Sequence, residues 1–181
     1  NHFFSYSQLG FCNGSSGAPI FFENFGSGTT YGPALPAGTT NYTYVNSGFP
    51  QDGQYTLFFR TNLIPNSSNW LYSLDHTPDS EPNGVNGKCL IVNASNTPGQ
   101  FYRRTVTGLC SNTRFEFSAW LLNIYNAASG GCTGTGIPIN VTFEIWDAIG
   151  VEKGIELMKA EGFQPASWVT DMLASGNTSF Y

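Results

Sequence analysis

Charge is scarce in this chain. Asp, Glu, Lys and Arg together make up 10% of its 181 residues, against about one quarter in an average soluble domain. Only seven of those residues are basic, so the net charge is −5. A nucleic acid or an anionic membrane surface would need a basic face, and none is available; the one adjacent basic pair, Arg103-Arg104, reads as a solvated strand end. Histidine is nearly absent, with two copies, and none of the four cysteines sits at CxxC spacing. That argues against a zinc site, which draws on clustered Cys and His. No apolar run approaches the ~18 residues that a membrane-spanning helix requires. No internal repeat is visible.

What the chain does have is apolar, aromatic and turn-forming residues. Hydrophobic residues reach 40% and aromatics 15%, with 21 glycines and 10 prolines. β-branched and aromatic residues suit strands, and Gly, Pro and Asn suit turns, so this is the profile of an extracellular all-β protein. The length is that of one domain, or one domain and an appendage, with enough chain to bury a core. The sequence opens at Asn1 without a signal peptide, as a mature secreted protein or an excised fragment would.

Read along its length, residues 1–148 form short strands between turns. Apolar or alternating segments fall at 19–25, 43–45, 54–60, 71–74, 88–93, 100–106, 114–123 and 137–147. Asp52-Gly53 marks a turn, and Gly and Pro punctuate the long polar stretch from 75 to 87. Many short strands with turn signals between them predict an antiparallel jelly-roll β-sandwich, mainly β. From residue 149 the pattern changes. Val151, Ile155 and Met158 recur at helical spacing, with Gly162 as a stop. Pro165 opens a second segment in which Trp168, Val169, Met172 and Leu173 form a stripe. The expectation for 149–181 is a short C-terminal helical hairpin on the edge of the sandwich.

The cysteines Cys12, Cys89, Cys110 and Cys132 allow two disulfides in three connectivities. Cys110–Cys132 is favoured, since both flank one hairpin whose first strand is 115–124. Cys89 lies inside an apolar run and is read either as a disulfide partner or as a buried free thiol.

Two resemblances cover different parts of the chain. The strings Cys12-Asn-Gly-Ser-Ser-Gly-Ala-Pro-Ile20, Phe22-Glu-Asn-Phe-Gly-Ser-Gly-Thr29, Thr40-Asn-Tyr-Thr-Tyr44, Asp75-His-Thr77, Asn86-Gly87, Val92-Asn-Ala-Ser95, Phe101-Tyr102, Thr107-Gly-Leu-Cys110 and Phe115-Glu-Phe-Ser-Ala-Trp120 occur in that order. Over about residues 10–147 they resemble a module of large secreted surface proteins of the Bacteroidetes, of the gliding-associated, type IX secretion kind. The resemblance implies a jelly roll similar to carbohydrate-binding modules, with neighbouring adhesin-type domains, and no particular ligand. Over about 143–181, Phe143-Glu-Ile-Trp-Asp-Ala-Ile-Gly-Val-Glu-Lys153, Trp168-Val-Thr-Asp-Met-Leu173 and Ser179-Phe-Tyr181 are similar to a C-terminal segment of bacterial 3-hydroxyacyl-CoA dehydrogenases. The first family would continue here with further strands. The two patterns meet at residues 143–148, and a natural fusion and a chain assembled from two sources both account for that. No dehydrogenase activity follows from the second match. A nicotinamide enzyme needs a glycine turn that opens a helix and cradles the pyrophosphate. Gly26-Ser27-Gly28 lacks the third glycine and no amphipathic helix follows it.

The densest polar cluster is Asp75, His76, Thr77, Asp79, Glu81, Asn83 and Asn86. Oxygen ligands on a Gly/Pro-rich loop suit calcium, which takes 6–8 of them. The candidate metal set is Glu23, Asp52, Asp75, Asp79 and Asn86; the competing reading is a solvated loop held by Asx-turns. Exposed aromatics can stack on sugar rings while Asp and Asn accept hydroxyls. Trp70, Tyr72, Asp75, His76 and Asn83 are therefore the candidate ligand-binding set. Tyr102, Trp120 and Tyr125 are further aromatics; core filling is the stronger reading for Trp120, whereas Trp70 follows the polar stretch 66–69.

Catalytic readings are weaker. Asp75-His76 lacks a recognisable nucleophile, and nothing marks Glu23 and Glu116 as a glycosidase pair. Six Asn-x-Ser/Thr sequons, at Asn13, Asn41, Asn66, Asn93, Asn140 and Asn177, read as composition in a chain this rich in those residues. The sequence thus points to a non-enzymatic, secreted, cell-surface module that recognises a glycan or another surface ligand, with calcium as its candidate ion. A spacer in a filamentous surface protein and an accessory domain of a secreted hydrolase are the alternatives.

Overall fold

The segment Gln-Tyr-Thr-Leu-Phe, residues 54–58, is free of charge and rich in β-formers, and the structure builds outward from it. The structure is a computed structural model that describes residues 21–75, 86–107, 113–129, 139–147, 152–160, 166–174 and 178–180. After residue 112 its side chains are described only at 119, 121–129 and 141–144. In chain order the strands are β1 (Thr43–Tyr44), β2 (Gln54–Phe58), β3 (Cys89–Asn93), β4 (Arg104–Val106), β5 (Thr113–Leu121), β6 (Ile139–Asp147), β7 (Glu152–Ala160), β8 (Ala166–Ala174) and β9 (Thr178–Phe180). Short 3-10 turns occur at Thr61–Leu63 and Ala127–Ser129. Among the described residues no helix is long and apolar enough to cross a membrane.

The chain is therefore mainly β, as its composition predicts. β2 is the middle strand of a three-stranded sheet ordered β1-β2-β3. It runs antiparallel to β3 in the register Gln54↔Asn93 to Phe58↔Cys89, and β1 lies parallel to it. The sheet is thus mixed rather than antiparallel throughout. The turn signal Asp52-Gly53 stands where the sequence places it. Gly53 has φ +76, a value open to glycine at no steric cost, and Gln54 N–H donates to the Gln51 carbonyl at 2.9 Å.

Both faces of β2 are covered. Tyr55, Leu57, Phe58 and the following Phe59 are all buried, and Thr56 is fully enclosed. Phe58 and Phe59 join Ile64 and Ile91 as the core cluster, with Tyr31, Phe49, Trp70, Cys89 and Ile124 packed around it. The Tyr31 ring stacks on Phe58 at 4.4 Å between centroids. The loop before β1 is sewn onto β2: Gly32 N–H donates to the Leu57 carbonyl at 2.8 Å, and Leu35 N–H to the Tyr55 hydroxyl at 2.8 Å.

The remaining strands form a four-stranded sheet ordered β4-β9-β6-β7 and a two-stranded pair β5-β8. These ladders are all antiparallel, with a register shift between Ile145 and Trp146. The C-terminal stretch departs from the expected helical hairpin. Residues 152–160 pair with β6, 166–174 with β5, and 178–180 lie between β4 and β6. The periodicity of 151, 155 and 158 is real but thin. The same stretch carries Gly154 in its middle and alternating Ile155 and Leu157, and the next carries Trp168, Val169 and Thr170, all strand formers. An isolated helix of this length is marginal in water. A nine-pair ladder with β5 satisfies the backbone instead, and tertiary pairing overrides a weak local preference.

Two substitutions test the packing around β2. Among the described residues the buried Thr56 hydroxyl has no hydrogen-bond partner. Thr56→Val keeps the shape and removes the desolvated hydroxyl, so urea unfolding should show about 1 kcal/mol of added stability. A Cβ on Gly32 would lie 2.8 Å from Leu57 Cβ. Gly32→Ala should cost about 1–3 kcal/mol in the same assay, and an unchanged midpoint would contradict this packing.

Candidate functional site

At the C-terminal end of β2 the backbone carries Arg60 and then Thr61. Thr61 is 1% exposed and ties this end to residues 71–73. Its hydroxyl donates to the Leu71 carbonyl at 2.6 Å and accepts from Ser73 N–H at 2.8 Å, while its own N–H donates to the Ser73 carbonyl at 3.2 Å. The Ser67 hydroxyl, with one proton, sits between the Thr61 and Ile64 carbonyls at 2.8 and 2.7 Å. On its other side the stretch is held by Leu71 N–H to the Ile124 carbonyl at 2.6 Å and by a Trp70↔Tyr125 bridge. Residues 70–75 are thus an extended, hydrogen-bonded segment rather than a loose loop.

Extended backbone alternates its side chains. Leu71, Ser73 and Asp75 are half-buried, whereas Tyr72 is 52% exposed and Leu74 46% exposed. Of the candidate ligand-binding residues, Tyr72 stands in solvent with its ring available. Trp70 is half-buried, 4.3 Å from Phe49 between centroids, and belongs to the packing around the core. His76, Asn83 and Asp79 lie outside the described residues, as do Cys110, Cys132 and Cys12. The side chain of Trp120 is likewise not described.

The candidate metal residues divide between places. Asn86 precedes β3 and has φ +68; its carbonyl accepts from Gly28 N–H at 2.9 Å beside a Ser27↔Gly87 bridge. Asp52 sits at the other end of the β2–β3 ladder, next to Gly53, whose N–H donates to the Asn93 carbonyl. Four residue steps at ~3.3 Å separate those ends by about 13 Å. Asp52 and Asn86 are therefore not brought together on one ion. Glu23 is engaged separately: its carboxylate accepts from Phe25 N–H at 2.9 Å and from the Tyr102 hydroxyl at 3.3 Å. Burial, then the Glu23 charge, pushes the Tyr102 phenol well above its ordinary range, with Arg104 opposing. Among the described residues no three of His, Cys, Asp and Glu come together.

Sequence reasoning misses Lys88. It is 5% exposed, its side chain runs beneath Gly32 and Gly28, and its ammonium donates to the Ser27 carbonyl. A buried ammonium demands such partners. The signal is its place at the head of the apolar run 89–92, where a lysine is out of character. Its neighbour Cys89 is a free thiol, which decides between the two readings of that residue. It donates to the Phe58 carbonyl at 3.3 Å, and burial, with the Asp75 carboxylate second, pushes its pKa up to about 12.

No protein-family model matches this chain, and no curated protein or solved structure matches it.

The Cys89 environment has a measurable consequence. At pH 8 the native thiol stays protonated, and only the thiolate is nucleophilic. Iodoacetamide should leave the tryptic peptide 89–103 unmodified in the native protein and alkylate it in guanidinium, as read by mass spectrometry. The folded pKa lies above the unfolded one, so the folded state holds the proton more tightly. The associated stability is complete below about pH 9 and is lost as pH rises toward about 12. Urea unfolding at pH 8 and 10 should show a steeper loss in the wild type than in Cys89→Ala.

Proposed function

We propose that this chain is a secreted, cell-surface recognition module with no catalytic role, and that it binds glycans through the rim carrying Tyr72. The observation that carries this reading is the exposed Tyr72 ring on a segment whose backbone is locked by Thr61. Sugar rings present apolar C–H faces that pack on an aromatic ring, and a ring already held in place loses little entropy on binding. The body is taken to be a jelly-roll sandwich. In its favour are ladders that are antiparallel except at β1 and the non-sequential order β4-β9-β6-β7, which needs crossing connections. The scarcity of charge and the abundance of Thr, Asn, Gly and aromatics fit an extracellular setting, where the module would stand beside further domains of a larger surface protein.

Tyr72→Ala is the discriminating variant. Over a panel of immobilised oligosaccharides it should lose binding by about tenfold or more, the loss expected when a stacking partner worth ~1.5 kcal/mol is removed. Its unfolding midpoint should stay close to wild type, because the ring is half in solvent. Retention of every glycan signal in Tyr72→Ala would remove this rim from the reading. A wild-type protein that binds nothing on the panel would favour a spacer.

A further inference from the structure

The backbone places Arg60 beside the segment that presents Tyr72. Arg60 is extended, with φ −153 and ψ 127, and forms an isolated antiparallel bridge with Leu74. Directly paired residues of an antiparallel bridge project to the same side, with Cβ atoms about 5 Å apart. Leu74 is exposed, so that side is the outer one. Tyr72, two residues before Leu74, is the diagonal neighbour of Arg60 at about 7–8 Å, within reach of a long side chain. Asp75, next in the chain, is half-buried and lies close enough to raise the Cys89 pKa, on the inner side.

Arg60 has no hydrogen bond or ion pair among the described residues; its close partner is the neighbouring Phe59 ring, 5.3 Å from the guanidinium carbon. Nε is buried without an acceptor among the described residues, while the residue as a whole is half-buried. In a chain with seven basic residues and twelve acidic ones, a cation on a segment paired with that of an exposed aromatic, and with no carboxylate partner among the described residues, stands out. A guanidinium prefers a planar or tetrahedral oxyanion, which its forked N–H groups meet in pairs.

We infer that the rim takes an acidic sugar, with Arg60 holding the anionic group and Tyr72 the ring face. The ligand class is a saccharide bearing a carboxylate or a sulfate, and the inference rests on the recognition reading above. The overall charge of −5 does not oppose it strongly. Salt screens distant charges beyond about 8 Å at physiological strength, whereas the contact at Arg60 is direct.

The test is calorimetric titration of the full chain with three probes: an oligouronate, a sulfated galactan oligosaccharide and a neutral cello-oligosaccharide. The expected result is binding of at least one anionic probe in preference to the neutral one, weakening as salt is raised. Arg60→Gln should lower that affinity by about tenfold. Arg60→Lys, which keeps the charge and loses the fork, should fall between. Uronate against sulfate preference identifies which anion the site prefers. Equal circular-dichroism melting of the variants guards against loss of fold, and a failed Arg60→Gln is replaced by the Arg60→Lys comparison. If the neutral probe binds as well and only Tyr72→Ala abolishes binding, the acidic-sugar inference falls while glycan recognition stands. If no probe binds, both fall together.

Discussion

The burial of β2 on both faces is the constraint on which the described N-terminal part depends. A strand enclosed this way must satisfy its backbone entirely within the protein, because water does not reach it. β1 and β3 supply the ladder, and the Gly32 amide comes in from the preceding loop to the Leu57 carbonyl. Aromatic size then does the filling. Tyr55, Phe58 and Phe59 occupy the space that Leu or Val would leave open, and the Tyr55 hydroxyl spends its polarity on the Leu35 amide. Glycine at position 32 follows from the same crowding, since a methyl there meets Leu57.

The candidate binding rim is a by-product of how β2 ends. Three residues past the end of β2, the buried Thr61 turns its hydroxyl to the passing segment 71–73. Together with the Leu71–Ile124 hydrogen bond and the Trp70↔Tyr125 bridge, Thr61 holds the backbone around Tyr72. The alternation of extended chain then sends Tyr72 and Leu74 outward and Ser73 and Asp75 inward. An exposed aromatic on a mobile loop would lose its freedom on binding; one on a hydrogen-bonded segment has already lost it.

Few charges also shape how the molecule holds its loops. Carbonyls, hydroxyls and left-handed turns hold several of the described loops. Lys88, buried under two glycines, donates a hydrogen bond to a backbone carbonyl. Glu23 likewise accepts from an amide and a phenol. Such contacts bring residues 21–28 against both the start of β3 and the segment around Tyr102, with the Phe25 and Tyr102 rings edge to face at 5.8 Å.

Strand content and several strand positions are legible in the order of residues, because burial and alternation leave marks there. The turn at Asp52-Gly53, the buried strand 54–58, the partly buried strand 89–93 and the long strands near 114 and 139 all carry such marks. The tail misleads for a physical reason: apolar residues at 151, 155 and 158 fit a helix and, with Leu157, fit a strand. Only the pairing partners choose between them. The site divides in the same way. Tyr72 and Asp75 can be picked from residue type, but Trp70 cannot be told from a core residue until Phe49 packs on it. Arg60 cannot be picked at all, since its nearness to Tyr72 arises from a bridge between chain positions 14 residues apart. By itself the sequence determined the class of fold, the scarcity of charge and the short strands, because each is a matter of local composition and period. The tertiary structure alone decided which strands pair, which aromatics face water and which cation stands beside them, because those depend on contacts between residues distant along the chain.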